Sequence, residues 1–197
     1  MSNEHISRHL RITAPSPWVE RWTHLVKDGG TVLDLAAGGG RHGRLFLDRG
    51  CAVTMVDKNV EALEDLQSRA EVIEANLEDG SPWPLSELTF DAVIVVNYLY
   101  RDLFDNIIAS LKPGGVLIYE TFARGNEDFA RPRNPDHLLK SGELLDAVHD
   151  RLQVVAYEHG LVKTTDISGV KQRLVAVNDL KGTSREDGEP EPHLTHQ

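Results

Sequence analysis

Asp34 and the glycines at 38, 39 and 40 are the residues of this chain best placed to do chemistry. They stand in VLDLAAGGGRHG, residues 32–43, where an apolar run closes on a carboxylate and a glycine cluster opens a helix. Glycine lets the main chain turn with positive φ and approach a ligand with no Cβ in the way. The first amides of the helix beyond it are free to donate. A segment of this kind is built to hold a nucleotide-like ligand. Gly38, Gly40 and Gly43 also satisfy the GxGxxG spacing that seats a dinucleotide pyrophosphate on a helix N-terminus. Asp34 weighs against that ligand, because its charge would repel a pyrophosphate and favour a cation. S-adenosyl-L-methionine, with its ammonium and sulfonium groups, is a cationic adenosine.

A second acidic anchor follows in CAVTMVDKNVEAL, where Asp57 and the adjoining Lys58 stand at the expected end of the next strand. A carboxylate there can accept hydrogen bonds from both ribose hydroxyls, a role common to nicotinamide and adenosylmethionine proteins. The same aspartate also suits a helix N-cap, and the two roles are compatible. Further along, ARGNEDFARPRNPDHLLK forms an 18-residue connection from Ala123 to Lys140 with little periodicity. A loop that long in a compact domain reads as a functional lid. Arg124, Arg131 and Arg133 make it locally basic. They suit a carboxylate or another oxyanion on a substrate, or they pair with Glu127, Asp128 and Asp136 in solvent.

The elements that position these residues alternate as a parallel sheet with helices on both faces requires. Ser16 and Pro17 open a helix, PWVERWTHLV, that should stop at Gly29-Gly30. Strands are expected at 31–36, 52–57, 71–75, 90–96 and 115–121, with helices near 41–49, 59–69, 102–111 and 141–150. LQVVAYEHG and VKQRLVAVN then read as an antiparallel hairpin. Three segments follow: an N-terminal helical segment over 1–30, a main domain over 31–180, and a disordered tail over 181–197 with little apolar content. His193 and His196 in that tail read as solvated residues rather than metal ligands.

Composition narrows the class. Hydrophobic residues at 40% and charged residues at 26% are ordinary globular values. No apolar run approaches the ~20 residues that span a bilayer, and MSNEHISRHLRIT lacks the apolar stretch of a secretory signal, so a cytoplasmic location is expected. The single cysteine, Cys51, reads as a packing residue at the start of a buried strand. Thirty-one acidic residues against 21 basic ones give a net charge of −10, which repels phosphate backbones and disfavours a nucleic-acid partner. Walker-type, GxSxG, HExxH and paired CxxC motifs are all missing, so metal catalysis is disfavoured.

The chain resembles the class I S-adenosylmethionine-dependent methyltransferases. Asp34, Ala36, Gly38 and Gly40 fall on that family's acidic-x-Gly-x-Gly-x-Gly motif, with Ala36 replacing the first glycine. The resemblance continues through VIEANLEDG, FDAVIVVNYLYRDLF and LKPGGVLIYETF, and covers roughly residues 17 to 178. It implies a Rossmann-like, seven-stranded, mostly parallel α/β sheet ending in an antiparallel hairpin. It implies that Asp34, Ala36, Gly38, Gly40, Asp57, Lys58, Asn76, Leu77 and Asn97 bind S-adenosyl-L-methionine, released as S-adenosyl-L-homocysteine. Asn97 and Tyr98, at the strand-four motif where this family places groups around the transferring methyl, and Glu120 are the candidate catalytic neighbours, and Tyr98, Tyr119 and the loop arginines Arg124, Arg131 and Arg133 the candidate acceptor contacts. Trp18 and Trp22 read as core, although in similar enzymes an N-terminal helix closes over the cofactor. The activity implied is methyl transfer to a small-molecule acceptor, one the loop arginines would suit if it is anionic, in a monomer or homodimer. An RNA or protein methyltransferase, and a noncatalytic adenosylmethionine-binding module, are the alternatives; a nicotinamide oxidoreductase is the least favoured. In-line displacement on a sulfonium depends mainly on orientation and water exclusion. A thiolate, selenide or amine would need no strong base, and Glu120 is the best-placed residue if one is used.

Overall fold

A computed structural model of the chain describes residues 12–163, 168–181 and 183–195. The first eleven residues, residues 164–167 and His196 lie outside it. Seven strands form one sheet, β1 (Thr31–Leu35), β2 (Ala52–Asp57), β3 (Glu71–Glu74), β4 (Phe90–Val96), β5 (Leu111–Phe122), β6 (Gln153–Lys163) and β7 (Ser168–Val177). Their order is β3-β2-β1-β4-β5-β7-β6. The first five strands run parallel, while β7 pairs antiparallel with both β5 and β6. The order reverses between β1 and β4, which is where open α/β sheets bind their ligands. The fold expected from the sequence is therefore the fold observed.

The central strands are near-continuous apolar runs because both sheet faces are covered. One face packs Leu33, Leu35, Val93, Val95, Leu117, Tyr119 and Leu174 against α3 (Phe104–Ala109) and α4 (Glu143–Val148). The other packs Val32, Met55, Ile94, Ile118 and Val175 against α1 (Pro17–Trp22) and α2 (Arg41–Asp48). Ser16 caps α1 by accepting from the Trp18 amide, with Pro17 at the first helical position. The helix is shorter than the sequence suggests, passing at Thr23–Leu25 into a single 3-10 turn. Trp18 and Trp22 are core residues with ring centroids 5.6 Å apart. Cys51 is buried just before β2, as its apolar surroundings require.

Two differences from the sequence expectation have local causes. The helix expected over 59–69 is a 3-10 stretch, Glu61–Leu66. Only Leu63 and Leu66 are buried there, three residues apart, and i→i+3 turns align such a pair on one side. Strand β5 begins at Leu111, upstream of the Lys-Pro-Gly-Gly turn, because Asn178 takes up that turn's polar groups. The Gly114 amide donates to the Asn178 carbonyl at 2.7 Å, and the Asn178 amide donates to the Gly115 carbonyl at 2.9 Å. In the region read as a disordered tail, residues 183–195 run without helix or strand but make defined contacts. His193 Nε2 lies 2.6 Å from Asp179 Oδ2, and the Leu194 carbonyl lies 3.1 Å from His24 Nε2.

Candidate functional site

The site is assembled at the carboxyl ends of β1, β2, β4 and β5. Between β1 and α2 the chain turns through three left-handed residues, Ala36 (φ 54°), Gly38 (φ 57°) and Gly40 (φ 71°). A Cβ on Gly40 would lie 2.6 Å from Leu63 Cδ2, so this glycine is required by both backbone angle and packing. Gly43 sits inside α2 against the Met55 side chain, where a Cβ would lie 2.3 Å from Met55 Cε and would force that side chain to move. It brings helix and sheet together, which accounts for the third glycine of the GxGxxG spacing.

Asp34 is turned inward beneath this loop. It is 1% exposed, and its Oδ2 accepts from the Gly43 amide at 2.8 Å. Burial raises its pKa to about 7, against the lowering effects of the Gly43 hydrogen bond and the Arg41 charge. The sequence suggests that Asp34 meets the ligand directly; in the structure one of its oxygens ties the glycine loop to the start of α2. His42 stands beside it, Nδ1 4.0 Å from Asp34 Oδ1, while its Nε2 accepts from the Ser16 amide at 3.2 Å. Burial, with help from Arg41 and Lys171, lowers the His42 pKa to about 3, so the ring is neutral.

Asp57 ends β2 at the open edge of the sheet. Its Oδ2 accepts from the Gly38 amide at 2.8 Å and its Oδ1 from the Asn59 amide at 3.1 Å. A carboxylate has about four acceptor positions, which leaves two for a diol. Lys58 and Asn76 are exposed, and Leu77 is half-buried against the core. Asn76 Oδ1 accepts from the Glu78 amide at 3.1 Å, closing a turn beside the Asp57 strand end. Tyr98 is close enough to Glu78, Tyr100 and Asp57 to sense their charges, and burial together with those charges raises its pKa. The Tyr98 hydroxyl is buried and stands near the Glu78 carboxylate. An acidic pair of acceptor positions, a left-handed glycine loop and a buried phenol thus face one region, and they fit an adenosine.

Asn97 follows β4 with φ 59°, a conformation that asparagine tolerates better than most residues. Its amide donates to the Glu120 carbonyl at 2.8 Å, and its Oδ1 accepts from Lys171 Nζ at 2.8 Å. Lys171 and Glu120, each about 2% exposed, form a close ion pair between β7 and β5. Ser16 Oγ donates to Glu120 Oε2 at 2.8 Å, and Arg173 Nε lies 3.2 Å from the same oxygen. Burial alone would raise the Glu120 pKa; the Lys171 and Arg173 charges and these hydrogen bonds overcome it and hold the carboxyl below its usual range. Glu120 is therefore a poor proton acceptor, contrary to its reading as the best-placed base. Both of its oxygens are committed to cations and a hydroxyl.

Sequence reasoning passed over Lys171 because it lies in an apolar stretch and its partner is 51 residues away. Tyr119 is a second correction: it is 1% exposed, packs in the core against Phe104 and donates to the Tyr98 carbonyl at 3.0 Å. Strand alternation puts it on the sheet face opposite Glu120, so it supports the Tyr98 turn rather than touching an acceptor.

The loop from Ala123 to Lys140 is bonded at both ends. Buried Asn126 donates through Nδ2 to the Ala130 and Pro132 carbonyls at 3.2 and 2.9 Å. Arg101 grips Glu143 and the Asp136 and Leu138 carbonyls. Arg124, Arg131 and Arg133 are exposed, and none of their guanidinium groups makes a hydrogen bond or ion pair within the described residues. The pairing with Glu127, Asp128 and Asp136 considered from sequence is not formed.

Residues 32–115 match the model of a family described as a methyltransferase domain. A search of the curated proteins gives no match. Among solved structures, the chain is similar to an S-adenosylmethionine-dependent methyltransferase of Methanosarcina mazei, at 16% identity over 84% of this chain and 99% of that one, with a TM-score of 0.63. It is similar to TehB of Haemophilus influenzae at 17% identity over 85% of this chain and 63% of that one, with a TM-score of 0.69. A third is the 1,6-didemethyltoxoflavin-N1-methyltransferase of Burkholderia thailandensis, at 19% identity, 83% and 77% coverage and a TM-score of 0.60. That structure was solved with 1,6-didemethyltoxoflavin and S-adenosylhomocysteine bound.

Proposed function

We propose that this chain, whose residues 32–115 carry a methyltransferase domain, is an S-adenosylmethionine-dependent methyltransferase that acts on a small-molecule acceptor. The observation that carries the reading is the meeting of Asp57 with the glycine loop, 2.8 Å from carboxylate to Gly38 amide. Asp57 holds the ribose through its two remaining acceptor positions. Asn76 and Leu77 flank the adenine, Lys58 lies beside the ribose position, and Asn97 stands next to the methionine end. The short N-terminal helix, with Ser16 anchored to His42 and Glu120, covers that end of the site. Bound there, the cofactor supplies a methyl group on a sulfonium, which is already an excellent leaving group.

The chain's own residues orient the acceptor and exclude water; they do not remove its proton. Glu120 is held ionised by two cations, Tyr98 is held as a neutral phenol, and His42 is buried with one ring nitrogen occupied by the Ser16 amide. The acceptor therefore brings its own nucleophile, such as a thiolate, a selenide or a neutral amine. The exposed arginines of the 123–140 loop suit an acceptor carrying an anionic group. The −10 net charge favours such a small molecule over a nucleic acid. The test is release of S-adenosylhomocysteine with a panel of thiols, selenols, amines and alcohols. Turnover confined to the first three classes is expected; efficient turnover of an unactivated alcohol would contradict this reading.

A further inference from the structure

Lys171 and Arg173 lie two residues apart on β7 and so project from the same sheet face, the face covered by α1. Both line a pocket of about 400 Å³ whose other walls include Pro17, His159, Gly160 and Lys163. Lys171 is 2% exposed and spends two of its three N–H donors, on Glu120 and on Asn97 Oδ1. Its third donor has no oxygen or nitrogen acceptor among the described residues, and Nζ lies 4.9 Å from the centroid of the Phe122 ring. Arg173 uses NH1 on Glu158 at 3.3 Å, but its buried Nε–H is unfilled, since Glu120 Oε2 lies 3.2 Å away out of hydrogen-bond alignment. A buried donor without an acceptor is costly, and unpaired groups of this kind ask for an explanation. Two such donors on residues that line one pocket mark a place suited to an oxygen acceptor.

Charge says what kind. Lys163, Lys171 and Arg173 are opposed by Glu158 on the pocket wall and by Glu120 behind it, leaving one positive charge in excess on a chain of net −10. We propose that Lys171 and Arg173 form an anion-binding subsite that takes an oxyanion of the acceptor, a carboxylate or a group of similar charge and size. The assignment rests on the methyltransferase reading for the word acceptor, but the anion site itself does not. Lys171 also bonds Asn97, so an oxyanion held there lies one side chain from the proposed methyl-transfer position. The lid arginines, being exposed, then act on approach, and the buried β7 pair fixes orientation.

The experiment is a ¹H–¹⁵N NMR titration with sodium acetate, and separately with sodium sulfate, against sodium chloride at matched ionic strength. It is run on the free protein and on protein with excess S-adenosylhomocysteine, and it follows the amides of residues 158–163 and 168–173. Saturable shifts in both states are expected, weakened at least tenfold in Arg173→Gln. The paired variant Lys171→Met with Glu120→Leu, which removes the ion pair together, is expected to lose them as well. No saturable shift in the wild type would overturn the subsite even if S-adenosylhomocysteine binds. Shifts seen in the free protein and abolished by S-adenosylhomocysteine would also overturn it, since the cofactor's own carboxylate would then fill the place. Saturable anion shifts without any S-adenosylhomocysteine binding would keep the subsite and sink the cofactor reading.

Discussion

Replacing Asp34 with Asn separates the burial cost of this carboxylate from its structural use. Asn keeps an oxygen for the Gly43 amide, now accepted by Asp34 Oδ2 at 2.8 Å, and cannot ionise. The folded pKa is raised from 3.8 to about 7 by burial. A carboxyl group raised in this way contributes stability that is fully present below its unfolded pKa and is lost as pH rises through its folded pKa. The window therefore runs from about pH 4 to pH 7, and its full depth is about 4 kcal/mol at 1.36 kcal/mol per pH unit. His42 works in the opposite sense. Its folded pKa is lowered to about 3 from 6.5, so its contribution grows as pH rises over much of the same range. The two largely cancel in the wild type, and only the difference between wild type and variant isolates Asp34. Urea unfolding at half-unit steps from pH 4.5 to 8 reads that difference. Relative to Asp34→Asn, the wild type is expected to lose about 2–4 kcal/mol across the window, a midpoint shift of about 1–2 M at ordinary m-values. Parallel curves, or a wild type that gains on the variant as pH rises, would refute the burial argument.

Ala36 holds φ 54°, where an L-residue is strained by about 1–2 kcal/mol, while glycine costs about 0.5–1 kcal/mol more to order. Ala36→Gly should therefore raise stability by about 0.5–1 kcal/mol, and an unchanged or lower urea midpoint would contradict the strain. Gly40→Ala combines the left-handed strain with a contact 2.6 Å from Leu63 Cδ2 and should cost about 2–4 kcal/mol. Calorimetric melting checks it, and a loss under 1 kcal/mol would mean that the loop yields.

Much of this architecture was legible in local pattern. Apolar strand runs carrying Asp34 and Asp57 near their ends, with glycines between, placed the carboxyl edge of the sheet, and the alternation in VKQRLVAVN placed the reversed strand. What local pattern does not carry is partnership across strands. Glu120 reads as an available base until the β5–β7 register sets it opposite Arg173 and next to Lys171. Tyr119 reads as an acceptor neighbour until strand parity turns it into the core. The sequence shows the charge of Asp34 but not that the Gly43 amide folds back over it. The lid arginines were legible as a basic cluster, but whether they pair with nearby acids depends on a path set by Asn126 and Arg101.

The most direct test of the account is calorimetric titration of the protein with S-adenosylmethionine and S-adenosylhomocysteine, with NADH as the control and Asp57→Ala as the companion variant. Two charge-assisted hydrogen bonds to a ribose diol contribute about 1.5–3 kcal/mol each. Both adenosyl ligands should therefore bind the wild type and lose at least a hundredfold in affinity in Asp57→Ala. Binding of NADH without the adenosyl ligands, or adenosyl binding that Asp57→Ala leaves intact, would contradict the site described.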